Sequence, residues 1–216
     1  MKITTIAASR SVQVLLISSA LVWGGCSSTG VERAEDTAVS MQSATANIEK
    51  GKTLIDKTMA SLHKVQESAG TDPRSAFKEY TDNVDDVEAA GIQVHKTAKN
   101  MKANSKDYYQ TWQKELSGMN NEQLKSISSA RQAESLATFE KVSGGYNGVV
   151  EAYKPFLKDL KDIRTYLSTD LTPGGISAVK PVADSATKNA AALNDSLTAL
   201  QTQFSGMAAA IAPYKK

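Results

Sequence analysis

The groups able to do chemistry in this chain of 216 residues are few: one cysteine, Cys26, and two histidines, His63 and His95. Zinc, haem and iron–sulfur sites need several soft ligands, so this inventory excludes such a site built by the chain alone, and a single thiol excludes an internal disulfide. A di-iron helical site would carry Glu three residues before each His on the same face; Ala60 and Ile92 stand there instead. Covalent haem attachment needs a Cys-x-x-Cys-His run, which is absent. His63 and His95 therefore read as structural or solvent-facing. Asp82, Asp85, Asp86 and Glu88 form an acidic cluster with oxygen ligands for a divalent cation, but without the glycine and regular spacing of a calcium loop. It reads as a solvated helix face. No serine lies in a Gly-x-Ser-x-Gly elbow after a strand, so nucleophilic catalysis has no candidate. The expectation is a non-enzymatic chain with no catalytic, cofactor-binding or metal-ligating residue and no cofactor.

Cys26 has a different chemistry. Lys2 and Arg10 precede an apolar run from Val14 to Val22, too short for a spanning helix of about 20 apolar residues. A basic start, a short apolar run and small residues before the break make a signal peptide over residues 1–25. Leu21, Val22, Gly24 and Gly25 directly before Cys26 resemble the lipobox of bacterial lipoproteins, with Trp23 a departure where a smaller aliphatic is usual. That resemblance implies a diacylated Cys26 as the new N-terminus, followed by a Ser-Ser-Thr-Gly tether, so residues 26–30 are expected to hold the body to a membrane. Cleavage removes two of the 25 basic residues, Lys2 and Arg10, and none of the 23 acidic ones, which leaves the mature chain balanced. A nucleic-acid binder would carry a strong basic excess, so no nucleic-acid partner is expected. By similarity to enterobacterial lipoproteins, Ser27 rather than Asp after the cysteine implies the outer membrane, with the body facing the periplasm.

The remaining residues must build that body. After residue 30, period-two runs of β-formers are essentially absent, and no Asn-Gly or Asp-Gly pair joins apolar runs. Stripes at alternating spacings of three and four appear instead. One reads Phe77, Tyr80, Val84, Val87, Gly91, Val94, Ala98, Met101, Ser105, Tyr108 and Trp112, apolar or aromatic at all but Gly91 and Ser105. The next, Phe139, Val142, Tyr146, Val149, Tyr153, Phe156, Leu160, Ile163 and Leu167, has no polar interruption. The last runs Ile176, Val179, Ala183, Ala186, Ala190, Leu193, Leu197, Leu200, Phe204, Met207 and Ile211, thin in its first half, where small side chains would let a neighbour approach closely. The first, Ala34, Ala38, Met41, Ile48, Ile55, Met59, Leu62 and Val65, is weaker, with Lys52 on the stripe and Gly51 inside it.

Between stripes lie turn residues. Gly70-Thr71-Asp72-Pro73 predicts a helix stop, an N-cap aspartate and a proline at the first helical position. Ser117 to Asn121 ends the second helix and caps the third through Asn121. Thr169 to Gly175, with Pro173, Gly174 and Gly175, makes the third break. Short connections force antiparallel neighbours. The expected fold is all-α, an elongated up-down-up-down bundle of four long, coiled-coil-like helices, a single domain over residues 31–212 with a C-terminal tail at 213–216.

From about Asp72 to Met207 the chain is similar to a family of Gram-negative helical, coiled-coil-like lipoproteins known only as a domain of unknown function. The similar stretches are Tyr108-Tyr109-Gln110-Thr111-Trp112-Gln113-Lys114-Glu115-Leu116, Lys154-Pro155-Phe156-Leu157 and Asp162-Ile163-Arg164-Thr165-Tyr166-Leu167. Where that family tends to carry Lys-His-Asn-Leu-Asn next, this chain has Ser168-Thr169-Asp170-Leu171-Thr172, so a role for that histidine does not transfer. The resemblance implies fold and address and brings no activity.

Gly144, Gly145 and Gly148 followed by Pro155 are the anomaly inside a stripe, since interior glycine costs about 1 kcal/mol and proline about 3 kcal/mol relative to alanine. They predict a kink, or a hinge where another helix approaches closely. Tyr108, Tyr109 and Trp112 read as filling at a bundle end, and Lys180, Asp184 and Lys188 as surface pairs. The leading functional expectation is a membrane-anchored lipoprotein with a structural or protein-interaction role in the envelope. Its partners would be the bilayer through acylated Cys26, an envelope protein, or a second copy through exposed heptad positions. The alternative is a periplasmic carrier or sensor taking a lipid or small apolar ligand between helices. A cavity above about 300 Å³ favours the carrier and a filled interior the spacer.

Overall fold

The computed structural model describes residues 30–211, and every element among them is helical. In chain order these are α1 (Gly30–Glu67), a 3₁₀ turn (Ser68–Gly70), α2 (Arg74–Ser117), α3 (Glu122–Thr169), α4 (Pro173–Ala178) and α5 (Lys180–Ile211). The expected signal segment at 1–25, Cys26 and the expected tail at 213–216 lie outside the described residues. At 1.5 Å per residue α3 is about 72 Å long and α5 about 48 Å.

The six helical elements pack together because each long helix carries one apolar stripe that needs a cover. α1 packs on α2 and α5, and α3 packs on α2 and α5. The core draws Ile48, Ile55, Leu62 and Val65 from α1 and Tyr80, Val84 and Val87 from α2. α3 adds Val142, Tyr146, Val149, Phe156, Leu160, Ile163 and Leu167. The small stripe of α5 is buried as fully as the large ones, with Ala183, Ala186 and Ala190 beside Leu193, Leu197, Leu200 and Phe204. Lys52 sits on its stripe by reaching across the edge of the core, where its ammonium donates to Gln201 of α5 at 3.1 Å.

The turns follow their local chemistry, with two shifts of register. Asn121 caps α3 as expected, its side-chain oxygen accepting from the Leu124 N–H at 3.0 Å. At the start of α2 the cap is Pro73 rather than Asp72, and Phe77 N–H bonds the Pro73 carbonyl. Asp72 stands one residue earlier, where its carboxylate receives the Arg74 N–H at 3.2 Å and the Arg74 guanidinium at 2.6–3.1 Å. The third break is shorter than its composition predicts. Thr172 accepts from Gly175 N–H, and Pro173 opens the short helix α4, so Gly174 and Gly175 are helical. A Cβ on Gly175 would overlap the Asp170 carbonyl, which is why this close turn takes glycine. What divides α4 from α5 is Pro181. It has no N–H for the Ser177 carbonyl and its ring crowds that carbonyl, so the helix resets at Val179.

Pro155 does not divide α3, which runs through it from Glu122 to Thr169 with the ring exposed. Of the nearby glycines, Gly144 and Gly148 face open space, whereas a Cβ on Gly145 would overlap the Gln203 side chain and touch Leu200 at 3.0 Å. Gly145 is therefore the position of close approach to α5. Replacing Pro155 by alanine restores a partner to the Glu151 carbonyl. The expected net gain is about 2 kcal/mol after the looser unfolded chain offsets part of it. The melting temperature should rise by roughly 4–8 °C; an unchanged value in thermal denaturation would remove the assigned strain.

Candidate functional site

Most polar side chains near the core join one helix to another. Tyr80 of α2 is fully buried and its hydroxyl donates to the Leu160 carbonyl of α3 at 2.8 Å. In the opposite sense, the Tyr153 hydroxyl of α3 donates to the Val87 carbonyl of α2 at 3.1 Å, its ring lying where a Cβ on Gly91 would be. Between these two clasps the acidic cluster meets basic partners. Asp85 pairs with Arg164, Glu88 with Lys161 at 2.9 Å, and Asp82 with Lys78 at 2.6 Å. The Lys161 hydrogen bond holds the Glu88 carboxyl below its ordinary range. Among the described residues no three His, Cys, Asp or Glu converge as metal ligands.

Burial pushes both clasp tyrosines up, Tyr153 to about 12 with the Glu88 charge adding to the effect, and Tyr80 further. A folded value above the unfolded one means that the native state prefers the neutral phenol. The stability this confers is fully present below the ordinary value of 10.0 and is lost as pH rises from there through about 12. Urea midpoints measured across this range should fall, and should fall less in the Tyr80→Phe/Tyr153→Phe double variant. Tyrosinate absorbance completing its rise near the ordinary value with helical content intact would contradict the burial of these phenols.

Ser185 and Asn189 of α5 donate to the Asp159 carboxylate of α3 at 2.7 and 2.8 Å. This is a hydroxyl–carboxylate pair without an imidazole, as His63 and His95 are exposed on α1 and α2. Thr58 and Ser61 are buried in α1 and donate to backbone carbonyls, Thr58 to Leu54 and Ser61 to Thr58, each at 2.8 Å. Lys180 and Asp184 approach to 3.5 Å as an exposed pair.

Two spaces occur beside these contacts. A cleft of about 70 Å³ between α1 and α5, bordered by Met59, His63 and Ala183, is well below the about 300 Å³ expected for a carrier's cavity. A groove of about 710 Å³ lies open to solvent on the seam of α2 and α3. It forms at the far end of the fold. Asp159 faces Ser185 and Tyr146 meets Phe204 edge-on, so at 1.5 Å per residue the α2–α3 hairpin continues about 25 Å past the last described turn of α5.

In this stretch α2 and α3 join through side chains of mixed character. Tyr109 lies near-parallel to Trp112 and tilted to Phe139, with centroids 6.5 and 6.3 Å apart. The Tyr109 hydroxyl bonds Ser135 at 3.0 Å and the Trp112 indole donates to Ser128 at 3.0 Å. Tyr109 and Trp112 are thus half-buried seam residues; the Tyr108 side chain lies outside the described ones. Tyr109, Leu136 and Phe139 supply the apolar floor, and Lys102 and Lys106 of α2 stand on one rim. Upstream, residues 89–106 contain no acid, while Lys96, Lys99, Lys102 and Lys106 are all exposed. Among the described residues none of these four lysines has an ion pair, in contrast to Lys64, Lys154, Lys158 and Lys161. Stripe counting missed this surface because the lysines and, apart from Phe139, the groove residues lie off the core stripes; the acid-free run was its one visible signal.

Comparison with known proteins gives one finding on family. A family model described as "Protein of unknown function (DUF2959)" matches residues 23–205. No curated protein and no solved structure matches the chain.

Proposed function

The chain belongs to the DUF2959 family, and we propose that it is a lipid-anchored helical rod of the bacterial envelope with a structural or protein-interaction role and no catalysis. In this reading the four long helices run up-down-up-down, with α4 the first turn of the last arm. Acylated Cys26 holds the rod to the outer membrane and the body faces the periplasm. The observation that carries it is how the fold disposes its polar groups. Tyr80, Tyr153, Asp159, Asp85 and Glu88 all bind one helix to another, which suits a body that transmits position rather than transforms a substrate. The anchor rests on Cys26 standing where the apolar run stops. Among the described residues no helix is long and apolar enough to cross a membrane, so in this reading attachment falls to the acyl chains.

The test is mass spectrometry of the N-terminal peptide from protein extracted from its own membranes. The expected peptide begins at Cys26 and carries acyl mass, and the protein fractionates with the outer membrane. An unmodified thiol would end the anchor, and recovery with the inner membrane would end the assigned address.

A further inference from the structure

We propose that the groove between α2 and α3 is the docking site for an acidic amphipathic helix of a partner protein. This rests on the protein-interaction part of the reading above and not on the anchor. Three observations select the occupant. First, charge: Lys99, Lys102 and Lys106 share one face of α2 at i, i+3 and i+7, unpaired among the described residues, and Glu140 is the acid among the groove residues. Elsewhere on the body, lysines at helix–helix seams meet carboxylates of the same chain. A row left unanswered on an exposed helix favours a negative partner and steers it to this seam.

Second, lining: beside the floor of Tyr109, Leu136 and Phe139, the groove presents Gln110, Gln113, Gln132, Ser143 and Asn147. These amides and hydroxyls border a lining that is mostly apolar, and beside a bare hydrocarbon chain they would stay without a hydrogen-bond partner. They match the polar flank of a helix whose apolar side chains enter the floor. Third, length: Lys99 to Gln113 spans about 21 Å of α2, which accommodates about four turns of a docked helix. A second copy is disfavoured, because two-fold self-docking of this patch would set the lysine row against itself.

The test uses the full chain held in amphipol and a fluorescent synthetic helix of about three heptads, with Leu at a and d and Glu at the exposed positions. A Lys-for-Glu counterpart and phosphatidylglycerol vesicles serve as competitors for the assignment. The acidic helix should bind, by anisotropy, and should weaken about tenfold or more between about 50 and 300 mM salt; the basic helix should not bind. The Lys99→Gln/Lys102→Gln/Lys106→Gln variant should lose about tenfold or more of this affinity with its melting temperature unchanged.

Gly144→Leu should block the groove as strongly. It lies on the groove with open space at its Cβ, so it cannot act by unfolding α3. Equal binding of both helices, or no binding of the acidic one, overturns the proposal. So does vesicle binding that the same substitutions abolish while the acidic helix stays unbound, which would make the surface a membrane contact. A fall in melting temperature in the triple lysine variant would mean that acids of this chain answer the row, and also overturns it. Failure of the anchor would appear separately, as an unmodified Cys26, and leave these binding results standing.

Discussion

On the proposed lipoprotein reading, replacing Cys26 by serine leaves a longer, unacylated precursor that retains residues 1–25. A hydroxyl is a far weaker nucleophile than a thiol and cannot form the thioether that carries the diacylglyceryl group. The size of the effect follows from acyl burial. At about 0.8 kcal/mol per buried methylene, one chain anchors marginally and several anchor stably, so the variant loses that whole contribution and keeps only the apolar run Val14–Val22 as membrane contact. The precursor would keep Lys2 and Arg10 and hence a net charge of +2, whereas the cleaved chain is balanced. Gel mobility, isoelectric focusing and mass spectrometry all read the difference. A Cys26→Ser protein indistinguishable from wild type in mass and membrane recovery would refute lipidation outright.

Ala186→Asp should be the most damaging substitution for the fold. Ala186 is fully buried on α5, between Ala183 and Ala190 on the same small-residue stripe. A carboxylate there has no cation within the stripe and loses its water. An uncompensated buried charge destabilises by about 3–5 kcal/mol, which corresponds to a melting temperature lower by roughly 10–15 °C. The effect has a pH signature. Burial raises the folded pKa of the introduced carboxyl above its ordinary value of about 3.9, so the deficit is largest above the folded value and shrinks as pH falls through it. Thermal melts of variant and wild type should therefore lie closer together near pH 5 than near pH 7, to a degree set by how far burial raises that pKa. Ala186→Ser, which can donate to the carbonyl four residues back, should lose far less. A neutral outcome for Ala186→Asp would mean that α5 does not seal the core at this level.

The two substitutions probe opposite kinds of inference. Cys26 is read from local context alone, and lies outside the described residues. Ala186 could be placed on a stripe from sequence, but alanine stripes occur on exposed helices too, and only the cover supplied by its neighbours makes the position unforgiving. The acidic cluster teaches the same lesson. Asp85 and Glu88 read as a solvated face because the cluster lacks the glycine and spacing of a calcium loop, and nothing local to it shows that Arg164 and Lys161 reach them from α3. Lys52, awkward on its stripe, is explained by Gln201, 149 residues away in sequence. The break at Pro181 is legible from residue type alone. The same rule that places proline at a helix start applies at Pro181 as at Pro73, but the unbroken apolar pattern from Ile176 to Phe204 concealed it.

Periodicity determined that the body is helical and where its long stripes run, and local turn chemistry that Asn121 caps α3, because a period of 3.6 and a cap are settled within a few neighbouring residues. Tertiary structure decided what those helices do to one another. It turned Tyr80 and Tyr153 into reciprocal clasps, buried Thr58 and Ser61, and made Gly145 a point of contact with α5. It also left the α2–α3 hairpin continuing past the last described turn of α5 with a groove on its seam. These are properties of pairs of residues far apart in the chain. Their energies come from shape and charge meeting across an interface, and a one-dimensional pattern carries no term for that meeting.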